Sequence, residues 1–238
     1  MTIDMTNSPL PPPDSNGIIS LFQDELSPEN NQRNRSFSRS AWVYDLMQEY
    51  FVRPHIHKVD PCQHRKTVKA ILAPAKNKRV LDIACGTGSA IQYLDRSHRY
   101  TGLDLSYRML KRAVKKGAKK NFSSMQFIQA NAEQQHFPEH CFDLIVMDTA
   151  LHMIPNYQAA IGQIARVLDP QGVFICSTPA MGINAEFDVV WSKMAGKRGI
   201  HSFCIADLEK VCFQHQLSFE QYAVNGGMIY FKARKIEF

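Results

Sequence analysis

The sequence predicts an α/β fold, a doubly wound sheet of seven strands closed by a C-terminal antiparallel hairpin, and three observations carry that prediction. Apolar runs of strand length alternate with segments of helical period between residues 79 and 178. The first of these runs, Val80-Leu81-Asp82-Ile83, breaks into the glycine turn Ala84-Cys85-Gly86-Thr87-Gly88, as a buried parallel strand does where a ligand approaches its backbone. Near the other end, Asn225-Gly226-Gly227 separates two strand-like runs, a strong hairpin signal.

Taken from the N-terminus, residues 1–36 are rich in Pro, Ser and Asn and include Pro11-Pro12-Pro13. Such a segment buries too little apolar surface to offset its ordering entropy, so it reads as a disordered acidic and polar tail. Its one apolar patch is Gly17-Ile18-Ile19-Ser20-Leu21-Phe22. The domain proper is expected over 37–238, beginning with a helical cap at about 41–74. Trp42, Val43, Leu46, Met47, Tyr50 and Phe51 recur at helical spacing and predict an amphipathic helix that ends before Pro54. Asp60-Pro61 supplies an N-cap and a first-turn proline for a second helix carrying Val68, Ile71 and Leu72.

The sheet follows. Strands are expected at 79–84, 99–104, 125–130, 142–147 and 173–178, with helices at 89–96, 107–119 and 157–168, and a turn at Pro170-Gln171-Gly172. A helix over Ile205–Gln214 and the hairpin strands 218–224 and Met228–Ala233 complete the chain. The hairpin makes the last strand antiparallel, whereas an all-parallel sheet would need another crossover.

Composition narrows the function. The net charge is +6, and the five acids and two arginines of residues 1–36 leave +9 on the remainder. The six cysteines show no C-x-x-C pairing, which fits a reducing, cytoplasmic setting. No apolar run reaches the ~18 residues of a membrane span, and no signal peptide is evident.

Within the glycine turn lies the chemistry. Asp104, in Gly102-Leu103-Asp104-Leu105-Ser106, stands eighteen positions beyond Gly86, near the ~20 expected of an acid that takes a ribose hydroxyl pair. The third glycine of a dinucleotide G-x-G-x-x-G is replaced by Ile91, and the strand carries Asp82. A carboxylate there repels a pyrophosphate and suits a ligand bearing an ammonium and a sulfonium.

Asp82, Gly86 and Gly88 match D-x-x-x-G-x-G, and the block resembles motif I of class I S-adenosylmethionine-dependent methyltransferases, the broad group that includes ubiquinone and menaquinone biosynthesis methyltransferases. The resemblance implies a Rossmann-like fold and S-adenosylmethionine as cofactor, with S-adenosylhomocysteine as product. It implies that Ala84, Cys85, Gly86 and Gly88 face the methionine part of the ligand, that Asp82 reaches its ammonium directly or through water, and that Asp104 accepts the ribose hydroxyls. Leu105 and Met109 resemble the apolar wall of the adenine, although Met109 also shares a helix face with Leu110, Val114 and Ala118. Asn131 and Ala132 lie where the family carries D-A-E, and Asn131 can still meet the adenine amino group. The backbone near Asp148 is expected at the methionine ammonium, and Asp143 reads as a structural cap of the strand entry.

His152, just beyond the fourth strand, is the candidate general base. In this family the acceptor pocket is built by the N-terminal helices and the insert after the fifth strand, which nominates Tyr44 and Tyr50 on one side and Trp191 and Phe203 on the other. His55, His57, Cys62 and His64 cluster, but H-x-H with C-x-H is no established zinc spacing, and no metal is expected. The expected reaction is methyl transfer to oxygen, nitrogen or carbon of a small molecule. The alternatives are an S-adenosylmethionine-binding regulatory protein that recruits a partner through its tail, and an RNA-directed enzyme using the rows Lys111, Arg112, Lys115, Lys116, Lys119 and Lys120. Those rows read first as the solvated side of a helix, and no D-P-P-Y follows the fourth strand, so nucleic acid is the weaker branch.

Overall fold

The computed structural model describes residues 10–21, 26–122, 124–196 and 199–236. Five parallel strands make its frame: β2 (Arg79–Ile83), β3 (Arg99–Asp104), β4 (Ser124–Gln129), β5 (Phe142–Asp148) and β6 (Leu168–Met181), with β3 and β5 on either side of β2. Their apolar sequences follow from their position, since every side chain of Val80–Ile83 is buried. The hairpin strands β8 (Glu220–Asn225) and β9 (Met228–Ala233) close one edge, β9 pairing antiparallel with β6.

The sheet has nine strands rather than the seven expected. The seven form its continuous middle, and two short ones are added. One is β7 (Phe203–Cys204), beside the end of β6. The other is β1 (Ile18–Ser20), which lies parallel to β4 at the far edge with Ile18 and Ile19 buried. Disorder up to residue 36 is therefore corrected: β1 is followed by helix α1 (Pro28–Ser40), whose first turn is capped by the Ser27 side chain on the Asn30 amide. The apolar patch of the tail covers the open edge of β4, and this offsets the ordering entropy that composition alone leaves unmatched. Residues 1–9 and 22–25 of the expected tail lie outside the described residues.

The cap differs in shape from its prediction. A single helical turn, α2 (Tyr44–Met47), runs on as a wide π-type helix over Gln48–Ile56, in which the His57 amide reaches back to the Val52 carbonyl at 2.9 Å. It carries Pro54 in its last turn, and none of its residues is fully buried. The apolar stripe thus packs against no core; Trp42 is 74% exposed. Helix α3 (Pro61–Leu72) is capped by Asp60 as its sequence predicts.

On the two faces of the sheet lie α4 (Tyr107–Gly117), α5 (Tyr157–Val167), α6 (Ala185–Met194) and α7 (Ile205–Gln214). The helix expected at 89–96 is one 3-10 turn, Ala90–Gln92, because Asp95 then turns the chain by accepting the Ser97 amide at 2.9 Å, and one turn cannot propagate. β6 runs longer than its 173–178 expectation, absorbing Pro170-Gln171-Gly172 through a register shift opposite Phe142 and Leu144. Asp143 takes the Arg79 amide at 2.8 Å and its guanidinium at 2.6 Å, tying β5 to the start of β2.

If β1 is part of the packed sheet, Ile18→Ala should destabilise the protein by about 2–5 kcal/mol in urea unfolding. An unchanged midpoint would mean that the segment contributes no packing.

Candidate functional site

Three carboxylates end three neighbouring strands: Asp82 on β2, Asp104 on β3 and Asp148 on β5. Asp104 and Asp148 line a cleft of about 410 Å³ at the carboxyl edge of the sheet, where strand order reverses around β2, and Asp82 lies behind its wall. Each is held differently.

Asp104 lines the cleft and is 9% exposed. Its two oxygens accept the Gly86 amide at 2.8 Å and the Ser106 amide at 2.7 Å, so the carboxylate that closes β3 also fixes the glycine turn. A carboxylate offers about four lone-pair sites, so Asp104 keeps acceptor capacity beyond these bonds and that of the Leu105 amide. Burial pushes its carboxyl up to about 6, against the backbone hydrogen bonds that favour the charge.

Asp82 lies behind the lining, 2% exposed, and accepts the Tyr100 hydroxyl at 2.7 Å. Burial, and then the neighbouring charges of Asp148 and Asp104, push its carboxyl up to about 7, with the Tyr100 hydrogen bond opposing.

Asp148 lines the cleft and sits in a polar nest. It accepts the Ser177 hydroxyl at 2.5 Å and faces His64 Nε2 at 3.6 Å and the Arg53 guanidinium at 4.0 Å. Burial alone would raise it, but His64, Arg53 and Ser177 together hold its carboxyl well below the usual carboxylate range. The other side of His64 is braced by the Tyr230 hydroxyl at 2.7 Å. Sequence reasoning missed Arg53, and it noted His64 only as one of the residues His55, His57, Cys62 and His64 that cluster in sequence; in the fold His55 lies by Phe51, Cys62 is exposed and His57 lines the cleft. Among the described residues no group of three or more His, Cys, Asp or Glu side chains is arranged to hold a metal.

Of the residues nominated for the cofactor, Ala84, Gly86, Asp104, Leu105, Met109, Asn131, Ala132 and Asp148 line this one cleft, and Asp82, Cys85 and Gly88 do not. The Cys85 thiol is buried. Gly88, at φ +78°, lets the turn close: a Cβ there would meet Ile91 Cδ1 at 2.6 Å. Two lining residues without that freedom, Ala84 and Thr149, hold φ of 53° and 58°. Such left-handed non-glycine backbone is strained and gathers at ligand sites.

Of the four acceptor-side nominees, Tyr44 and Trp191 line the cleft. Tyr50 is 71% exposed, outside it, and Phe203 is a core residue stacked at 5.8 Å on His201 and packed at 4.9 Å on Tyr157. The helical spacing that pointed Tyr50 inward holds for an α-helix, and the π-type turn there rotates it outward. His152 lines the cleft beside His57 and Trp191, 4% exposed. Burial, then the neighbouring His57, Arg33 and His201, hold its imidazole well below its ordinary range, so it is neutral.

The helix α1 contributes Asn30, Arg33, Phe37 and Ser40 to the lining, the first two from the stretch that composition marks as disordered. Its only sequence signal was the Ser27-Pro28-Glu29 start, since Phe37 is its single large apolar residue. The cap is latched over the glycine turn: the Thr87 hydroxyl donates to Asp45 at 2.5 Å, and Lys116 of α4 reaches Asp45 at 3.4 Å. One lysine of the basic rows is thereby internal to the fold.

Comparison with known proteins places residues 81–176 in a family described as a methyltransferase domain. A fatty-acid O-methyltransferase of Mycolicibacterium smegmatis is 33% identical over 109 residues, 44% of this chain and 39% of that protein. The ubiquinone/menaquinone biosynthesis C-methyltransferase UbiE of Rickettsia typhi is 32% identical over 151 residues, 60% of this chain and 58% of that one. The chain thus spans well under two thirds of either relative. A phosphoethanolamine N-methyltransferase 2 of Haemonchus contortus, solved with phosphomonomethylethanolamine and S-adenosylhomocysteine, superposes with a TM-score of 0.67 at 15% identity, covering 91% of this chain and 62% of that one. At that identity the likeness shows the fold.

The raised carboxyls make a stability prediction. Asp82 and Asp104 ionise near 3.8 when unfolded and near 7 and 6 when folded, so between those limits the native state holds more protons and stability falls as pH rises. Asp82→Asn keeps an acceptor for Tyr100 and removes one of these charges. Between pH 5 and 8 the variant should lose less stability than the parent, by an amount on the order of 2–3 kcal/mol in urea unfolding. Parallel profiles for the two proteins would contradict the assignment.

Proposed function

We propose that this class I S-adenosylmethionine-dependent methyltransferase moves a methyl group from S-adenosylmethionine to a small-molecule acceptor bound in the capped half of the cleft. The observation that carries the reading is Asp104, an acceptor-only carboxylate at the cleft wall that simultaneously holds the Gly86 turn. Such a group discriminates for a ligand that offers paired hydroxyl donors, as a ribose does.

The residues present fit the donor. The cleft has the size of a nucleotide site, and the Asp104 carboxylate in its wall, with Asp82 behind it, suits a ligand bearing an ammonium and a sulfonium and opposes a pyrophosphate. When bound, S-adenosylmethionine supplies a methyl group activated by a positively charged sulfur. Asp104 would hold the ribose hydroxyls; Leu105 and Met109 would pack on the adenine and Asn131 would meet its amino edge. The strained backbone at Ala84 and Gly86, with Asp148, would face the methionine end, while Asp82 adds its charge from behind the lining. Cys85 and Gly88 then serve the turn itself. Tyr44 and Trp191 would border the acceptor, and His152, neutral and buried, is placed in the role of proton acceptor. Tight positioning in a dry cleft is the main contribution the protein can make to an in-line displacement, worth up to ~7–11 kcal/mol.

A purely regulatory donor-binding role is less well supported, because the lining extends past the donor residues into an apolar chamber with no need of existing in a sensor. An RNA-directed role loses support from the internal use of Lys116. The six free thiols support a reducing, cytoplasmic location, and among the described residues no helix is long and apolar enough to cross a membrane.

Calorimetry with S-adenosylmethionine, S-adenosylhomocysteine and NAD tests the donor, and labelled-donor turnover over a panel of acceptors tests the reaction. Binding of S-adenosylhomocysteine at least as tight as its precursor is expected; preference for NAD would sink the reading. Asp104→Ala should weaken S-adenosylhomocysteine by about ten- to a hundredfold, the loss of charge-assisted hydrogen bonds worth ~1.5–3 kcal/mol.

A further inference from the structure

The acceptor side of the cleft carries a polar feature that the donor reading does not use. His57, His152 and Trp191 line the cleft with their rings in a closed triangle, His57 to His152 at 5.9 Å and each to Trp191 at 5.6 Å. They are 3%, 4% and 1% exposed. Nδ1 of both histidines and Nε1 of the tryptophan are buried without any hydrogen-bond partner. Native folds leave few such atoms, and three in one wall of one cavity mark a place made for a polar group from outside the chain. The rest of the lining on this side is mostly apolar, with Phe37, Phe51, Val52, Ile56, Met194 and Ile200, and Gln48 adds one more buried atom without a partner, the acceptor Oε1.

The chemistry of the three nitrogens selects that group. An indole N–H only donates, whereas a neutral imidazole offers one donor and one acceptor. Burial, then Arg53 and His64, push His57 down to about 3, so both imidazoles are uncharged. A carboxylate only accepts and would carry a bare charge into a wall of neutral rings and apolar side chains. An ammonium only donates and would leave the indole N–H unmet. A hydroxyl does both from one atom. The Arg33 guanidinium, also in the lining, already donates to the Gly199 carbonyl at 2.6 Å.

We infer that the cleft takes an uncharged, largely apolar acceptor through a single phenol- or enol-type hydroxyl seated among His57, His152 and Trp191, and that this oxygen is the atom methylated. The inference rests on the methyl-transfer reading and names its substrate class. In the transfer the oxygen forms a bond to the methyl carbon as the carbon–sulfur bond breaks, the bonding pair stays on sulfur, and the hydroxyl proton passes to a ring nitrogen of His152. The weak basicity of that imidazole is sufficient, because the proton becomes acidic only as the new bond forms.

The test uses the full chain with S-adenosylmethionine and three probes on one ring system: 2-naphthol, 2-naphthoic acid and 2-naphthylmethylamine. Methyl naphthyl ether alone should form. Naphthol binding, read by calorimetry in the presence of S-adenosylhomocysteine, should weaken about fivefold in Trp191→Phe and similarly in His57→Asn, with S-adenosylhomocysteine affinity unchanged, the loss of one neutral hydrogen bond each. His152→Asn should bind naphthol within about fivefold of the parent and lower kcat about a hundredfold. Preference for the acid or the amine, no ether despite bound donor, or naphthol affinity unmoved in both Trp191→Phe and His57→Asn would overturn the inference while leaving methyl transfer standing. Absence of donor binding would instead remove the methyl-transfer reading and this inference with it.

Discussion

Everything in this structure is arranged around the meeting of three acidic strand ends. Asp82, Asp104 and Asp148 leave adjacent parallel strands at one edge; burial makes the ionisation of Asp82 and Asp104 costly, and the neighbouring carboxylates add to that cost at Asp82. The fold relieves this cost unequally. Asp148 faces the Arg53 guanidinium and takes further support from His64 and the Ser177 hydroxyl, while Asp82 and Asp104 have hydrogen-bond donors but no cation at hand. A cationic ligand stabilises precisely the groups that the protein leaves uncompensated, so the electrostatic strain of the ligand-free fold becomes binding selectivity.

The cap is the second layer of the same design. Its residues supply the partners of Asp148, since Arg53 belongs to the π-type helix and His64 to α3. They also close over the glycine turn through Asp45, Thr87 and Lys116, and Ser38 of α1 meets Ser106, the residue that follows the Asp104 loop, at 2.8 Å. Donor residues and acceptor residues therefore share one hydrogen-bonded framework. A displacement of the cap would at once open the chamber and strip Asp148 of its partners, which couples access to electrostatics.

How much of this can be read from the chain depends on the range of the interactions. The strands β2, β3 and β5, the glycine turn and the Asp104 position are written in local apolar runs and in one short spacing, and they stand where the sequence predicts. The Asp60 cap of α3 and the Asn225-Gly226-Gly227 hairpin are equally local. The strand β1 is not, because three residues, two of them buried, gain their stability only from the edge of β4, more than a hundred positions away. Nor is α1 legible: it is polar nearly throughout, and its place over the cleft comes from contacts such as Asn30 with Glu133 at 3.1 Å. The π-type helix defeats periodicity directly, since an extra residue per turn moves Tyr50 out of the cleft; Trp42 and Leu46, ahead of it, stand in solvent.

By itself the sequence determined the doubly wound order of strands and helices, the ligand-facing turn and the acid eighteen positions beyond it, because each is encoded within one element and its immediate flank. Only the tertiary structure decided which charges meet: that Asp82 faces Tyr100 behind the cleft wall, that Arg53 and His64 converge on Asp148, and that His57, His152 and Trp191 form one unpaired triangle. The reason is physical. Hydrophobic period and turn chemistry act between neighbours in sequence, whereas desolvation and Coulomb interaction act between neighbours in space, and those are chosen by the packing of the whole chain.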